Sequence, residues 1–430
     1  MTGRYDAIVI GAGVAGGTAA ILLAQAGWSV ALVEKRAFPR RKVCGECIAA
    51  PNLALLDALE VGAEFAQLAG PELERVGLYV GDDTICADLP RLEGANAGFA
   101  RALGRDRLDA LLLSRAARLG VAIRQPCAVK EIERHGARYA CRLAVEQRDA
   151  GRIEAPVLIG AHGSWEPQPW QECAARRARR SDLVAFKANF SGASLPPGLL
   201  PVLAFRGGYG GMVVADGGLL TLACCVRRDA LREWRAAAPR STAGDAVQAA
   251  LAARCRGVRL ALERARREGP WLSVGPVRPA MRAAWSERTG FAVGNAAGEA
   301  HPILGEGISM AMQSAWLLCR ALARERDVLS GGGPQTAVAR EYAREWRRHF
   351  AARVRFAAVL AQLAMRPQHA RPLLPLLRAA PGLLTAAARI GCKVKPLDEL
   401  TSGPASNGRQ RERARTMVAA TVPRLGDKQA

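Results

Sequence analysis

Three short stretches hold residues whose types and spacing could do chemistry. The first is Gly11-x-Gly13-x-x-Gly16, followed at the end of the next apolar run by Glu34. Gly11 permits a tight turn, Gly13 a close backbone approach to a pyrophosphate, and Gly16 close packing of a helix; an acid at Glu34 accepts hydrogen bonds from a ribose. The second is "KVCGECIAA" (42–50), where Cys44 and Cys47 stand in C-x-x-C spacing. Such a pair can be a redox disulfide, half a zinc site, or two small side chains. Zinc needs two more ligands, and no second C-x-x-C or H-x-x-x-H exists, so no metal site is expected. The third is "HPILGEGI" (301–308), with His301 and Glu306 beside Gly305 and Gly307. His301 is read either as a proton carrier or as a structural hydrogen-bonding group, and Glu306 as a helix-start acid or as a base.

The elements that position these residues are legible around them. "AIVI" before Gly11 has the pattern of a buried parallel strand. "GTAAILLAQAG" continues as a helix of small and apolar residues, and "SVALVE" is a second strand ending at Glu34, with Lys35 after it. Strand, glycine turn containing Ala15, helix and acid-tipped strand together make a dinucleotide-binding unit, whose helix N-terminus offers N–H groups to phosphates. The motif alone does not separate NAD from FAD. Residues 181–230 alternate and carry turn glycines, which predicts an antiparallel sheet joined by strands from 76–98. Residues 243–268 read as one helix, and 275–282 as a return to the first domain. An amphipathic helix is expected over 339–367. Helices over 373–394 would cap the sheet, lie on a membrane or clasp a partner. The stretch 401–417 reads as a mobile tail or loop.

Composition narrows the class. The chain has 430 residues, half of them apolar, which allows a large core. Eleven scattered cysteines argue against a secreted disulfide framework and for reduced thiols in the cytoplasm. "ACCV" (223–226) reads as core. The N-terminus reads as folded structure and not as a signal peptide, and no apolar run is long enough to span a bilayer. The formal net charge of +22 has two readings. One is arginine abundance throughout; the other is attraction to an anionic partner, either an acidic protein or peptide or, by peripheral contact, a membrane surface. The densest cluster, "ARRARRSD" (175–182), lacks interleaved aromatics, and no nucleic-acid motif is present. Nothing in the sequence fixes an oligomeric state.

Three further segments, in order after the glycine motif, carry a resemblance: "FPRRKVCGECI" (38–48), "RDRLDALLLSRAARLGVAI" (105–123) and "GFAVGNAAGEAHPILGEGISMAMQSAWLLCRAL" (290–322). Over roughly residues 5–325 the chain resembles the FAD-dependent monooxygenases and reductases built like p-hydroxybenzoate hydroxylase and geranylgeranyl reductase. The resemblance implies that Arg41, Cys44 and Gly45 form a loop reaching under the flavin. It implies that Arg105 approaches the ribityl or pyrophosphate region, and that Gly294-Asn295 replaces the family's Gly-Asp on the ribitol. Pro302 would sit beside the ring. Gly305 and Gly307 would allow close approach, and the helix opening at Ile308 would aim its N–H groups at the N1–C2=O edge. The family's D-G-x-x-S-x-x-R segment is matched by "LIGAHGSWEPQPW" (158–170), which keeps Gly163 but has His162 at the aspartate position, and no arginine follows at the expected place. An external reductase therefore stands beside NAD(P)H as electron donor.

The implied fold is α/β. A Rossmann-type FAD-binding domain (1–75, 100–180, 271–330) is combined with an antiparallel-sheet substrate domain (76–99, 181–270) and a helical C-terminal region (331–430). The implied activity is hydroxylation of an electron-rich aromatic substrate with O2, through a flavin C4a-hydroperoxide. The substrate would be free, carrier-bound, or a protein- or peptide-borne residue such as tryptophan. The alternatives are a geranylgeranyl-reductase-like reductase of lipid double bonds, a flavin-dependent halogenase, and a non-catalytic flavin-binding interaction protein. Prenyl reductases have Tyr-Gly-Trp, then an aromatic and a proline; here Tyr209-Gly210 is kept, with Gly211 and Val214 at the tryptophan and proline positions. The halogenase segment W-x-W-x-I-P is absent. Tyr209 lines the substrate pocket in one reading and the core in the other.

Overall fold

Two apolar tetrapeptides, Ala7–Ile10 and Val30–Val33, are buried at every position, as parallel strands covered on both faces must be. They sit inside a six-stranded sheet ordered Trp285–Ser286, Gly290–Ala292, Val157–Gly160, Ala7–Ile10, Val30–Val33, Ala122–Arg124. Every pairing is parallel except the first. The chain leaves Ala7–Ile10 to build one side of the sheet and returns at Val157–Gly160 to build the other. Ligands bind at such a switch point in doubly wound folds. The structure, a computed structural model, describes residues 2–92, 98–165, 168–170 and 178–391. The 401–417 stretch and the start of the arginine cluster at 175–182 lie outside these residues.

Helix Val14–Gln25 packs on this sheet, and helices Arg105–Arg118 and Gly307–Arg324 each pack against that helix. A four-stranded sheet lies next to it. In it Thr2–Arg4 runs parallel to Arg148–Ala155, which leads antiparallel through Arg138–Val145 to Ala128–His135. The sequence reading did not place these three later strands.

The second large sheet joins Arg266–Arg267, Leu183–Ser191, Leu220–Arg227, Gly208–Val214, Leu199–Phe205, Arg75–Val80 and Asp83–Asp88, with Leu272–Val277 added on Leu183–Ser191. Residues 76–98 were expected to contribute to it, and two strands from that region do. The sheet is not wholly antiparallel, because Leu199–Phe205 pairs in parallel with Arg75–Val80. Nor is 243–268 one helix. Helices Ala243–Arg254 and Arg256–Leu262 meet at Cys255, whose extended backbone (φ −139°, ψ 106°) ends the first, and the segment closes in the strand Arg266–Arg267.

Both faces of this sheet are covered. Phe186, Ala188 and Phe190 pack with Trp234, Val247, Leu251 and Val258 of the helices over residues 228–262. Ala185, Tyr209 and Cys225 pack on the other side with Ala361 and Ala364 of the 29-residue helix Thr336–Ala364. Cys224 and Cys225 thus serve two different cores, as alternation along a strand requires. No helix among the described residues is long and apolar enough to cross a membrane.

Candidate active site

The glycine turn is built by collisions avoided. A Cβ on Gly11, whose φ is +103°, would stand 2.6 Å from the carbonyl oxygen of Ala161, and one on Gly16 would collide with the carbonyl oxygen of Gly11. The first helix therefore sits directly on its own turn, against the end of the neighbouring strand. Gly13 differs. A Cβ there meets only cations, the Arg105 guanidinium at 3.5 Å and the Lys42 ammonium at 3.6 Å. Bare backbone and two positive charges facing one space are what a pyrophosphate needs.

Those cations are held in place from behind. Buried Asp109 takes Lys42 at 2.7 Å and accepts from Nε and Nη2 of Arg105 at 2.9–3.0 Å. Phe38 lies 4.3 Å under the Lys42 ammonium. Burial lowers the Lys42 pKa to about 8, against the pull of Asp109. Arg41 instead donates to the Glu268 carbonyl and lies 4.0 Å from Asp106, so Lys42 is the basic residue beside the turn. Buried Glu34 accepts from Ala12 N at 3.0 Å and Arg36 N at 3.1 Å, which fixes its carboxylate at the strand end. Lys35 is exposed next to it. Ala161 and His162 border Gly11, and Gly163 follows with φ +79°. Burial keeps the His162 ring neutral, lowering its pKa to about 4.

The far end of the site is assembled from the third segment. A Cβ on Gly294 (φ +59°) would press on Ala15, and the Gly294 N–H donates to Ser314 at 2.8 Å. Asn295 donates from Nδ2 to Glu299 at 3.4 Å. Glu299 is buried and also accepts from Ser164 and Trp165, both at 2.7 Å. A carboxylate thus stands one layer behind the position where the family carries its aspartate. Gly305 (φ +68°) turns the chain after the short 3-10 turn Pro302–Leu304, and Gly307 and Ile308 open the helix. Pro302 and Gly307 are exposed, whereas Ile308 is buried. Glu306 is fully enclosed; burial raises its pKa to about 7 despite Arg353, which reaches it at 3.3 Å from the helix Thr336–Ala364.

The cysteine loop bridges the two ends. Cys44 accepts from Glu46 N at 3.4 Å, and Cys47 packs 3.6 Å from the Cβ position of Gly305. Gly45 is exposed and open on its Cβ side. Both cysteines are free thiols. Burial, with Glu306 beside it, pushes Cys47 up to about 12 and holds it protonated, which makes it a poor nucleophile. Between them Glu46, at φ +60°, accepts from Arg105 N at 3.1 Å and Thr221 Oγ1 at 2.6 Å and pairs with Lys187. Both members of that ion pair are 1% exposed. The roof sheet is therefore anchored to the loop by charge. A second tie joins Tyr209, 1% exposed, to His301 Nδ1 at 3.0 Å. Burial lowers the His301 pKa to about 4 and raises that of Tyr209 well above 10, so a neutral phenol meets a neutral imidazole.

Sequence reasoning missed Asp109, Glu46, Lys187 and Glu299 as individual residues. Asp109 was available as the i+4 partner of Arg105. The other three depend on contacts across distant segments.

The bare backbone at Gly13 beside Arg105 and Lys42 suits the phosphates of a dinucleotide, whose ring end would then lie toward the loops of Cys44 and Pro302. The FAD binding domain family matches residues 4–357. Three solved structures share the fold. The myxobacterial chondrochloren halogenase CndH, an FAD-dependent halogenase, has a TM-score of 0.70 at 21% identity, covering 93% of this chain and 96% of that one. A geranylgeranyl bacteriochlorophyll reductase-like protein of Thermoplasma acidophilum has a TM-score of 0.70 at 17% identity, covering 93% and 100%. PqsL of Pseudomonas aeruginosa, a probable FAD-dependent monooxygenase, has a TM-score of 0.63 at 17% identity, covering 85% and 98%. Conditioned medium factor receptor 1 of Dictyostelium discoideum is 29% identical over 172 residues, which is 37% of this chain and only 33% of that protein. With a match across most of its length, the chain belongs to the FAD binding domain family.

Proposed function

We propose that this flavoprotein is a monooxygenase that hydroxylates an electron-rich aromatic group, using O2 and electrons from NAD(P)H or a separate reductase. The observation that carries the reading is the Tyr209–His301 hydrogen bond, which joins roof to floor just before Pro302. Hydroxylating an aromatic ring requires a proton to leave the ring carbon or a phenol to be polarised. A neutral imidazole can accept that proton, and Tyr209 fixes which ring nitrogen is engaged. Bound FAD supplies the electron transfer and the activation of oxygen. Gly13, Lys42 and Arg105 would hold its phosphates, Glu34 its adenosine ribose, and Asn295 its ribitol. The roof sheet, pinned through Lys187 and Glu46, keeps bulk water from the space beneath it.

The substrate is proposed to be borne by an acidic polypeptide, as a tryptophan side chain or a carrier-bound aromatic, because the chain carries +22. The test is turnover with isotopically labelled dioxygen on aromatic peptides and free indoles and phenols. Label in a hydroxylated product supports the reading. Saturation of a prenyl double bond without oxygen, or a product that forms only with halide, sinks it in favour of a reductase or a halogenase. His301→Gln should lower kcat more than it raises KM.

A further inference from the structure

On the side of the Gly298–Glu299 strand away from Asn295 lies a groove of about 510 Å³. One wall is Met281 and the residues after it, and the other is the helix Thr336–Ala364. Gly298 faces this groove, since a Cβ there would collide with Trp346, which closes the floor. Its neighbour Glu299 points the opposite way, toward Asn295. Arg347 and Arg355 line the groove and are exposed. Three other arginines of that helix are already used. Arg344 and Arg348 lie against Glu345, and Arg353 is buried on Glu306. The helix has one more acid, Glu341, and it is taken by Arg324. Arg347 and Arg355 face no carboxylate among the described residues.

We propose that this groove docks an acidic polypeptide segment carrying an apolar side chain between two carboxylates. Arg347 and Arg355 are eight residues apart, so their Cα atoms stand about 12 Å apart along the helix. That spacing suits two carboxylates on one peptide and is too wide for a single phosphate to bridge. Ala351 lies between them and Ala343 one turn before, so this wall is small and apolar, and Met281 stands opposite at 44% exposure. A concave groove accepts an inserted segment, whereas a lipid surface favours a convex or flat face. Docking would place the partner against the outer side of the strand whose inner side holds Asn295.

The test uses the full-length protein and a fluorescein-labelled peptide of glutamates and leucines, followed by anisotropy across a salt series. Arg347→Glu with Arg355→Glu should weaken binding by about tenfold or more, and Met281→Asp should weaken it independently. A control pair, Arg232→Glu with Arg235→Glu, removes the same charge from the exposed face of another helix and should cost about twofold or less. Equal losses in both pairs, or no binding by the unaltered protein, overturn the proposal. So does binding to phosphatidylserine vesicles, but not to peptide, that depends on Arg347 and Arg355. The peptide readout does not require flavin turnover, so it can fail while the oxidoreductase reading stands.

Discussion

Replacing Lys187 by methionine removes one half of an ion pair whose members are each 1% exposed. Glu46 would keep two neutral donors, Thr221 Oγ1 and Arg105 N. Two hydrogen bonds do not compensate a carboxylate held out of water, and breaking a buried pair from one side costs about 3–5 kcal/mol. A surface pair would cost about 1 kcal/mol or less. The expected loss is thus a large share of the roughly 5–15 kcal/mol that holds a domain together. Glu46→Gln keeps one acceptor oxygen but leaves the Lys187 ammonium buried without its counter-charge, so it should cost about 3–5 kcal/mol by the same argument. The double variant should cost less than the sum of the two, because the uncompensated charge is gone. The assay is urea denaturation of the four proteins at fixed flavin, reading the midpoint at unchanged slope. A Lys187→Met midpoint equal to the parent's, or strict additivity in the double variant, would refute the claim that charge fastens the roof to the loop.

Two further outcomes test the site. Glu306 has a folded pKa of about 7, raised from 4.5 by burial, so the fold retains a proton that the unfolded chain releases. Its contribution to stability is whole below about pH 4.5 and is lost as pH rises through 7, a swing of about 3 kcal/mol. Denaturation midpoints of the parent should fall over that window relative to Glu306→Gln, and a pH-independent offset between the two would contradict the assignment. Gly13→Ala meets only ordinary contacts and should leave the fold intact while weakening FAD binding by about tenfold or more, whereas Gly16→Ala should impair both, because its Cβ strikes Gly11. Flavin release and thermal unfolding measured together separate the two glycines.

The dinucleotide unit is legible because its determinants are local. Three glycines, two apolar tetrapeptides and one acid lie within the first thirty-four residues. The roof sheet is legible as strands but not as pairings, since Arg75–Val80 finds its parallel partner only at Leu199–Phe205. The four-stranded sheet went unread because "AVKEIERH" and "RDAGRIEA" carry charge where a buried strand would carry valine or isoleucine. Lys187 illustrates the deeper limit. Alternation puts it opposite Phe186 and Ala188, which suggests water, yet that face is covered by the flavin side of the molecule. Only the fold supplies Glu46, 141 residues earlier, as its partner.

Cys224 and Cys225, adjacent in one strand, feed separate apolar interiors. A ceiling sealed above and below cannot swing like a trapdoor without wetting two interiors at once. Traffic to a flavin bound beneath it would pass along its perimeter, where strands end and loops begin. Reactants would then be sorted at that rim, and redesign aimed at new ones belongs at the threshold, leaving the ceiling untouched.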